Sequence, residues 1–185
     1  MPPEHKRSFA SIQWRAHICT WAARQALSLD GDFVECGVWY GVLSKTICEY
    51  VDFEAENRKF YLVDSWGPME GSHESIMYQA DIFDAVRRRF EMYGNVHLVR
   101  GLVPDALKRI TSERIAYLAL DMNGSTAELA ALQYFYSKLV PGAVIYFDDY
   151  GWGFPELRQV VDEFFSDKPE SLLHFPSGNS IVVKV

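Results

Sequence analysis

The chain of 185 residues fits one ordinary domain, which at that size buries roughly 70% of the surface its unfolded form would expose. Hydrophobic residues make up 49% and charged residues 23%, which excludes a disordered or fibrous polypeptide. The net charge is -7 and the basic residues are dispersed apart from Arg87-Arg88-Arg89, so no stripe for a phosphate backbone exists and nucleic acid is not an expected partner.

The first residues, MPPEHKRSFASIQW, carry charge but no continuous apolar run, and no stretch of about 18 apolar residues occurs anywhere. The sequence therefore reads as cytoplasmic, without membrane attachment. From Ile12, Ala16, Cys19, Ala22, Ala23 and Ala26 recur at helical spacing until Asp30-Gly31, which predicts one leading helix. Residues 1–30 are assigned to that helix and 31–185 to a single α/β domain. Cys19, Cys36 and Cys48 form an odd set without CxxC spacing and act as small hydrophobes rather than a disulfide scaffold.

The windows DFVEC, KFYLVD, VHLVR, IAYLALD and AVIYFDD are short runs rich in Val, Ile, Tyr and Phe, the texture of parallel strands buried on both faces. Helix-like segments alternate with them. Ser125 and Glu128 form a capping-box pattern, Pro155 suits a first helical position, and Gly94 sits where a left-handed helix stop belongs. The tail differs: SLLHF, the turn-like Pro176-Ser177-Gly178-Asn179, then SIVVKV predict two strands joined as a hairpin. The fold class is a Rossmann-like doubly wound sheet, mostly parallel, closing in a C-terminal antiparallel hairpin.

After the first strand comes Glu35-Cys36-Gly37-Val38-Trp39-Tyr40-Gly41 and then a helix. Gly37 permits a sharp turn off the strand, and Gly41 permits close backbone approach to a ligand, whose carboxylate would face the amides of the helix N-terminus. Two glycines at this spacing also make an ordinary βα turn, and both readings stand. Asp64 ends the second strand near where such folds place a carboxylate on ribose hydroxyls, and Glu35 lies inside the end of the first strand. Both are costly to bury unpaired. The loop lacks the middle glycine of GxGxxG that a dinucleotide pyrophosphate needs, whereas S-adenosylmethionine has no phosphate and tolerates bulkier residues.

The fourth strand ends in Leu120-Asp121-Met122-Asn123 and the fifth in Phe147-Asp148-Asp149-Tyr150. As neighbours in a parallel sheet, they bring Asp121, Asp148 and Asp149 to the crevice where ligands of open α/β folds bind. Crowded carboxylates repel unless a cation compensates them, and an all-oxygen set suits Mg²⁺ or Ca²⁺. The alternative is that Asp148 or Asp149 caps the following loop while Asp121 bonds backbone amides. His17 and His97 read as packing or partly exposed residues, and His73, in a glycine-bearing loop, is the histidine placed nearest a substrate. Trp39, Tyr40, Trp66 and Trp152 fall on loops at the carboxyl end of the sheet, as acceptor-pocket walls or as lid packing.

With these residues assembled, the chain resembles the macrocin O-methyltransferase family of class I enzymes, whose relatives are associated with sugar, polysaccharide and antibiotic tailoring. The motifs are GDFVECGVWYG, YLVDSWGPMEG, VHLVRGLVPDAL, YLALDMN and KLVPGAVIYFDDYGW, in the family's order, with FPSGNSIVVKV as its closing hairpin. The resemblance implies S-adenosylmethionine held by the loop from Glu35 through Gly37, Val38, Trp39 and Tyr40 to Gly41, with Asp64 and the adjoining Ser65 at the ribose and Gly101 and Leu102 by the adenine. It implies that Asp121, Asp148 and Asp149 bind a divalent metal, Mg²⁺ or another, that orients an acceptor hydroxyl, with Asp121 receiving its proton. Asn123 stands where metal-dependent members carry a second Asp on the fourth strand. Only about 30 residues precede the first strand, where longer members carry covering helices, so the acceptor side is either more open or completed by a second copy of the chain. The expected function is methyl transfer to a hydroxyl of a sugar or other small polar acceptor, free or in a glycan. Two other readings compete. One is a non-catalytic scaffold that keeps the cofactor fold. The other is a Rossmann oxidoreductase, disfavoured by the missing glycine, the hairpin tail and the absence of an evident Tyr-x-x-x-Lys pair.

Overall fold

The computed structural model describes residues 12–67, 82–151 and 155–185. The elements run α1 (Ile12–Ala26), β1 (Asp32–Cys36), α2 (Val42–Tyr50), β2 (Phe60–Asp64), α3 (Ile82–Phe90), β3 (Val96–Arg100), β4 (Ile115–Leu120), α4 (Ser125–Phe135), β5 (Leu139–Phe147), α5 (Pro155–Phe165), β6 (Leu172–His174) and β7 (Ser180–Val183). The sheet order is β3-β2-β1-β4-β5-β7-β6. β1 to β5 are parallel, whereas β7 runs antiparallel to both β5 and β6.

Every residue of β2 and β4 is buried, as continuous apolar runs require when helices cover both faces of a parallel sheet. β3 has only β2 as a neighbour, and most of its residues are half-buried. The hairpin forms because only the short turn around Pro176 to Asn179 separates its strands, too little chain for a crossover helix. Cys19, Cys36 and Cys48 are buried free thiols.

Small side chains bring α1 close to the rest of the molecule. Its buried residues Ile18, Cys19, Ala22, Ala23 and Ala26 join the same core as Phe33, Phe60, Tyr117 and Ile145. Burial of such side chains contributes roughly 25 cal/mol for each Å² of apolar surface removed from water. From Ile18 onward α1 packs on β4, β5 and α2, while Ile12 to Trp14 of its first turn are exposed.

Three local expectations are corrected. β5 begins at Leu139 rather than Ala143, because Leu139 pairs with Ile115. Gly94 does not adopt the left-handed stop: α3 already ends at Phe90, and Gly94 faces open space without a positive φ. The capping box is not formed, since Gly124 is the N-cap of α4 and no side chain caps it. Glu128 is buried instead, with its carboxylate beside the Met122 backbone and Asp149.

Candidate functional site

Because β1 to β5 are parallel, they end on one rim, and the strand order reverses at β1. That reversal opens the crevice in which ligands of such sheets bind. A cavity of ≈ 400 Å³ lies there. Gly37, Trp39, Val63, Asp64, Ser65, Gly101 and Leu102, from the ends of β1, β2 and β3, line it together with Asp121, Asn123, Asp148 and Asp149, from the ends of β4 and β5, and Arg15 of α1.

Asp64 organises the first three strand ends. Its Oδ2 accepts the backbone N–H groups of Val38 and Trp39, each at 2.8 Å, and its Oδ1 accepts that of Trp66 at 2.8 Å. The carboxylate thereby ties the loop leading into α2 to the end of β2. Gly37 has φ +87°, and a Cβ there would lie 1.8 Å from the Asp121 carbonyl oxygen, so any side chain would collide with the neighbouring strand end. Gly41, with φ +71°, makes room for the Phe90 ring, which a Cβ would approach to 2.6 Å.

Glu35, Val38, Tyr40 and Gly41 are not among the residues lining the cavity. Glu35 is buried behind the loop, where the Ser44 hydroxyl donates to its Oε2. Burial pushes its carboxyl up to about 8, with the Ser44 bond opposing. An unfolded Glu titrates near 4.3, so between about pH 4.3 and 8 the native state holds one proton more at this site than the unfolded state. That contribution to stability is complete below the unfolded pKa and is lost as pH rises toward the folded value. Glu35→Gln should therefore change the wild-type-minus-variant stability difference by about 1.4 kcal/mol per pH unit across that window, read by urea unfolding. Parallel pH profiles would refute a protonated Glu35.

The ends of β4 and β5 form the acidic centre. Asp121, Asp148 and Asp149 each present a carboxylate oxygen within 4.8 Å of the others. Arg15, on α1, reaches into it: Nε donates to Asp148 Oδ1 at 2.7 Å, while Nη2 lies 2.7 Å from Asp148 Oδ2 and 2.6 Å from Asp121 Oδ2. Asp148 Oδ1 also accepts the Tyr146 hydroxyl and the Asn179 amide. Burial first, and Asp148 second, push the Asp121 carboxyl well above the ordinary range, with Arg15 opposing. Burial and Asp149 push Glu128 up to about 8.

Arg15, Tyr146, Asn179 and Glu128 escaped the sequence reading. For Arg15 a signal existed: it stands in register with Cys19, Ala22 and Ala26, a lone charge in the apolar stripe of α1. His17 and His97 lie outside the cavity lining, and the lowered proton affinity of His97 follows from burial first and then from Lys59. Trp39 lines the cavity, whereas Trp66 is buried against Phe83 and donates its indole N–H to the Trp39 carbonyl. His73 and Trp152 fall outside the described residues.

The model of the TylF macrocin O-methyltransferase family matches residues 18–170. The chain belongs to this family. Mycinamicin III 3''-O-methyltransferase of Micromonospora griseorubida is 26% identical over 156 residues, covering 72% of this chain and 60% of that relative. The chain thus spans about three fifths of that relative's length. Among solved structures, the O-methyltransferase NovP has a TM-score of 0.75 at 22% identity, over 92% of this chain and 79% of its own. The calicheamicin methyltransferase CalS11 has a TM-score of 0.75 at 15% identity, over the same shares. These neighbours share the fold, including the mostly parallel sheet with its antiparallel end. No helix among the described residues is long and apolar enough to cross a membrane.

Proposed function

We propose that this chain transfers the methyl group of S-adenosylmethionine to a hydroxyl of a sugar or other small polar acceptor. The observation that carries the reading is the single cavity joining the Gly37, Asp64 and Gly101 rim to the Asp121 carboxylate. Family membership supports it, as do the relatives named for methylating sugar-type positions: the mycinamicin III 3''-oxygen and, for CalS11, the 3'-oxygen of TDP-rhamnose.

In this reading Asp64 accepts ribose hydroxyls beside Ser65, while Gly101 and the exposed Leu102 flank the adenine. Glu35, Val38, Tyr40 and Gly41 shape the loop from behind. The acceptor oxygen attacks the methyl carbon as the C–S bond breaks, and its proton passes to Asp121. Transfer needs in-line approach, so positioning supplies much of the rate. Metal–oxygen distances of about 2.0 to 2.6 Å allow ligand oxygens up to about 5 Å apart, so the 4.8 Å trio fits a hard divalent ion held by Asp121, Asp148 and Asp149. Such an ion, when bound, would lower the hydroxyl's pKa and orient it.

Saturating S-adenosylhomocysteine at about 100 times its Kd should stabilise the fold by about 2.7 kcal/mol, a rise in Tm of roughly 5 to 10 °C, with no rise for NAD. Absence of that shift would favour the scaffold reading. The acceptor class is then tested with labelled S-adenosylmethionine against nucleotide sugars, glycans and phenols, with and without chelator. Labelled phenol with no labelled sugar would refute the sugar assignment.

A further inference from the structure

We propose that Arg15 is the resident counter-cation of the acidic centre and competes with a divalent ion for Asp121 and Asp148. The inference rests on the metal part of the reading above. The atoms decide it. Asp148 Oδ1 already accepts the Tyr146 hydroxyl and the Asn179 amide besides Arg15 Nε, which leaves Oδ2 as the Asp148 oxygen best able to turn to an ion. Arg15 Nη2 holds that oxygen at 2.7 Å and Asp121 Oδ2 at 2.6 Å. A guanidinium bridging two carboxylates satisfies them with charge-assisted bonds and supplies the positive charge that they require. An ion entering between the same oxygens meets that positive charge at close range, so loading requires Arg15 to swing away.

Arg15 can move. It sits in the first turn of α1, and its side chain is 28% exposed. Asp148 would stay in place, because Tyr146 and Asn179 hold it independently of α1. The carboxylate pair is thereby kept preorganised without metal, and the cation exchanges rather than assembling the site. Arg15 is a positioning residue in this scheme, acting on Asp121 through the ion pair.

The test is Mn²⁺ titration followed by electron paramagnetic resonance. Arg15→Gln should bind Mn²⁺ about tenfold or more tightly than wild type, since a unit positive charge is removed from beside a dication, and Arg15→Lys should fall between. Equal affinities in wild type and Arg15→Gln would overturn the competition while leaving the metal site standing. Absence of Mn²⁺ binding in both would overturn the competition together with the metal assignment, and the S-adenosylhomocysteine shift judges the methyltransferase reading separately. Should Arg15→Gln fail to fold, the wild-type protein decides. Saturating Mn²⁺ should speed exchange of the Ala16 to Cys19 amides, which bond the carbonyls of the first turn of α1, as its tether is released, and unchanged exchange there would refute the displacement.

Discussion

Asp121→Asn is expected to lower turnover by about 10²- to 10⁴-fold, the usual contribution of a positioned general base, while S-adenosylmethionine affinity stays within about twofold. The separation follows from the geometry. In the proposed reading Asp121, at the end of β4, serves the acceptor, whereas the loop fastened by Asp64 and the Gly101 turn serve the cofactor. Asparagine keeps the size and still accepts a hydrogen bond from Arg15, so the fold should persist, but it takes up no proton. The pH profile gives a second readout. Burial and Asp148 raise the proton affinity of Asp121, so the wild-type rate should climb with pH along a limb above the ordinary carboxylate range. The variant should lack that limb. Turnover within about threefold of wild type, with the limb intact, would remove Asp121 from the proton transfer.

The sequence made the sheet legible because parallel strands covered on both faces must be apolar throughout. DFVEC and VHLVR coincide with β1 and β3, and the other windows differ from their strands mainly at the ends. The hairpin was legible from its turn residues. Local helix punctuation was less informative, because it depends on which partner a side chain finds. Glu128 carries the capping pattern but is buried beside Met122 and Asp149, and Gly41 yields its space to a phenylalanine from α3.

The rim of the site was legible for a topological reason: residues just past the ends of parallel strands converge whatever the helices do. Asp121 and Asp148 met as expected, but their repulsion is answered by a residue from α1, more than a hundred positions away in sequence. Counting acids at the strand ends implied a missing cation without revealing that the chain carries one. Asn179 was hidden in the same way, read as a turn residue while its amide reaches back to Asp148.

Asp64→Ala should produce the largest combined loss of stability and binding, because in the proposed reading one carboxylate serves both. Its removal strands the amides of Val38, Trp39 and Trp66, each bonded at 2.8 Å in a buried or half-buried setting. An unsatisfied buried donor costs about 1 to 3 kcal/mol; allowing for water reaching part of the loop, the fold should lose about 3 kcal/mol in urea unfolding. Cofactor affinity should fall by a further 1.5 to 3 kcal/mol, about 10- to 150-fold by calorimetry, as ribose bonds to a charged group are lost. Asp64→Asn separates the two roles. Its carbonyl oxygen can still accept from one set of amides, but its NH₂ group faces the other set donor to donor, so stability should fall by less than in the alanine variant. A ribose hydroxyl can meanwhile reverse its own bond and accept from that NH₂, leaving cofactor affinity largely intact once the protein is folded. If Asp64→Asn loses cofactor binding as fully as Asp64→Ala while remaining folded, the negative charge itself is what the ligand requires. If neither variant changes affinity, Asp64 is purely the anchor of its own loop and the ribose is held elsewhere.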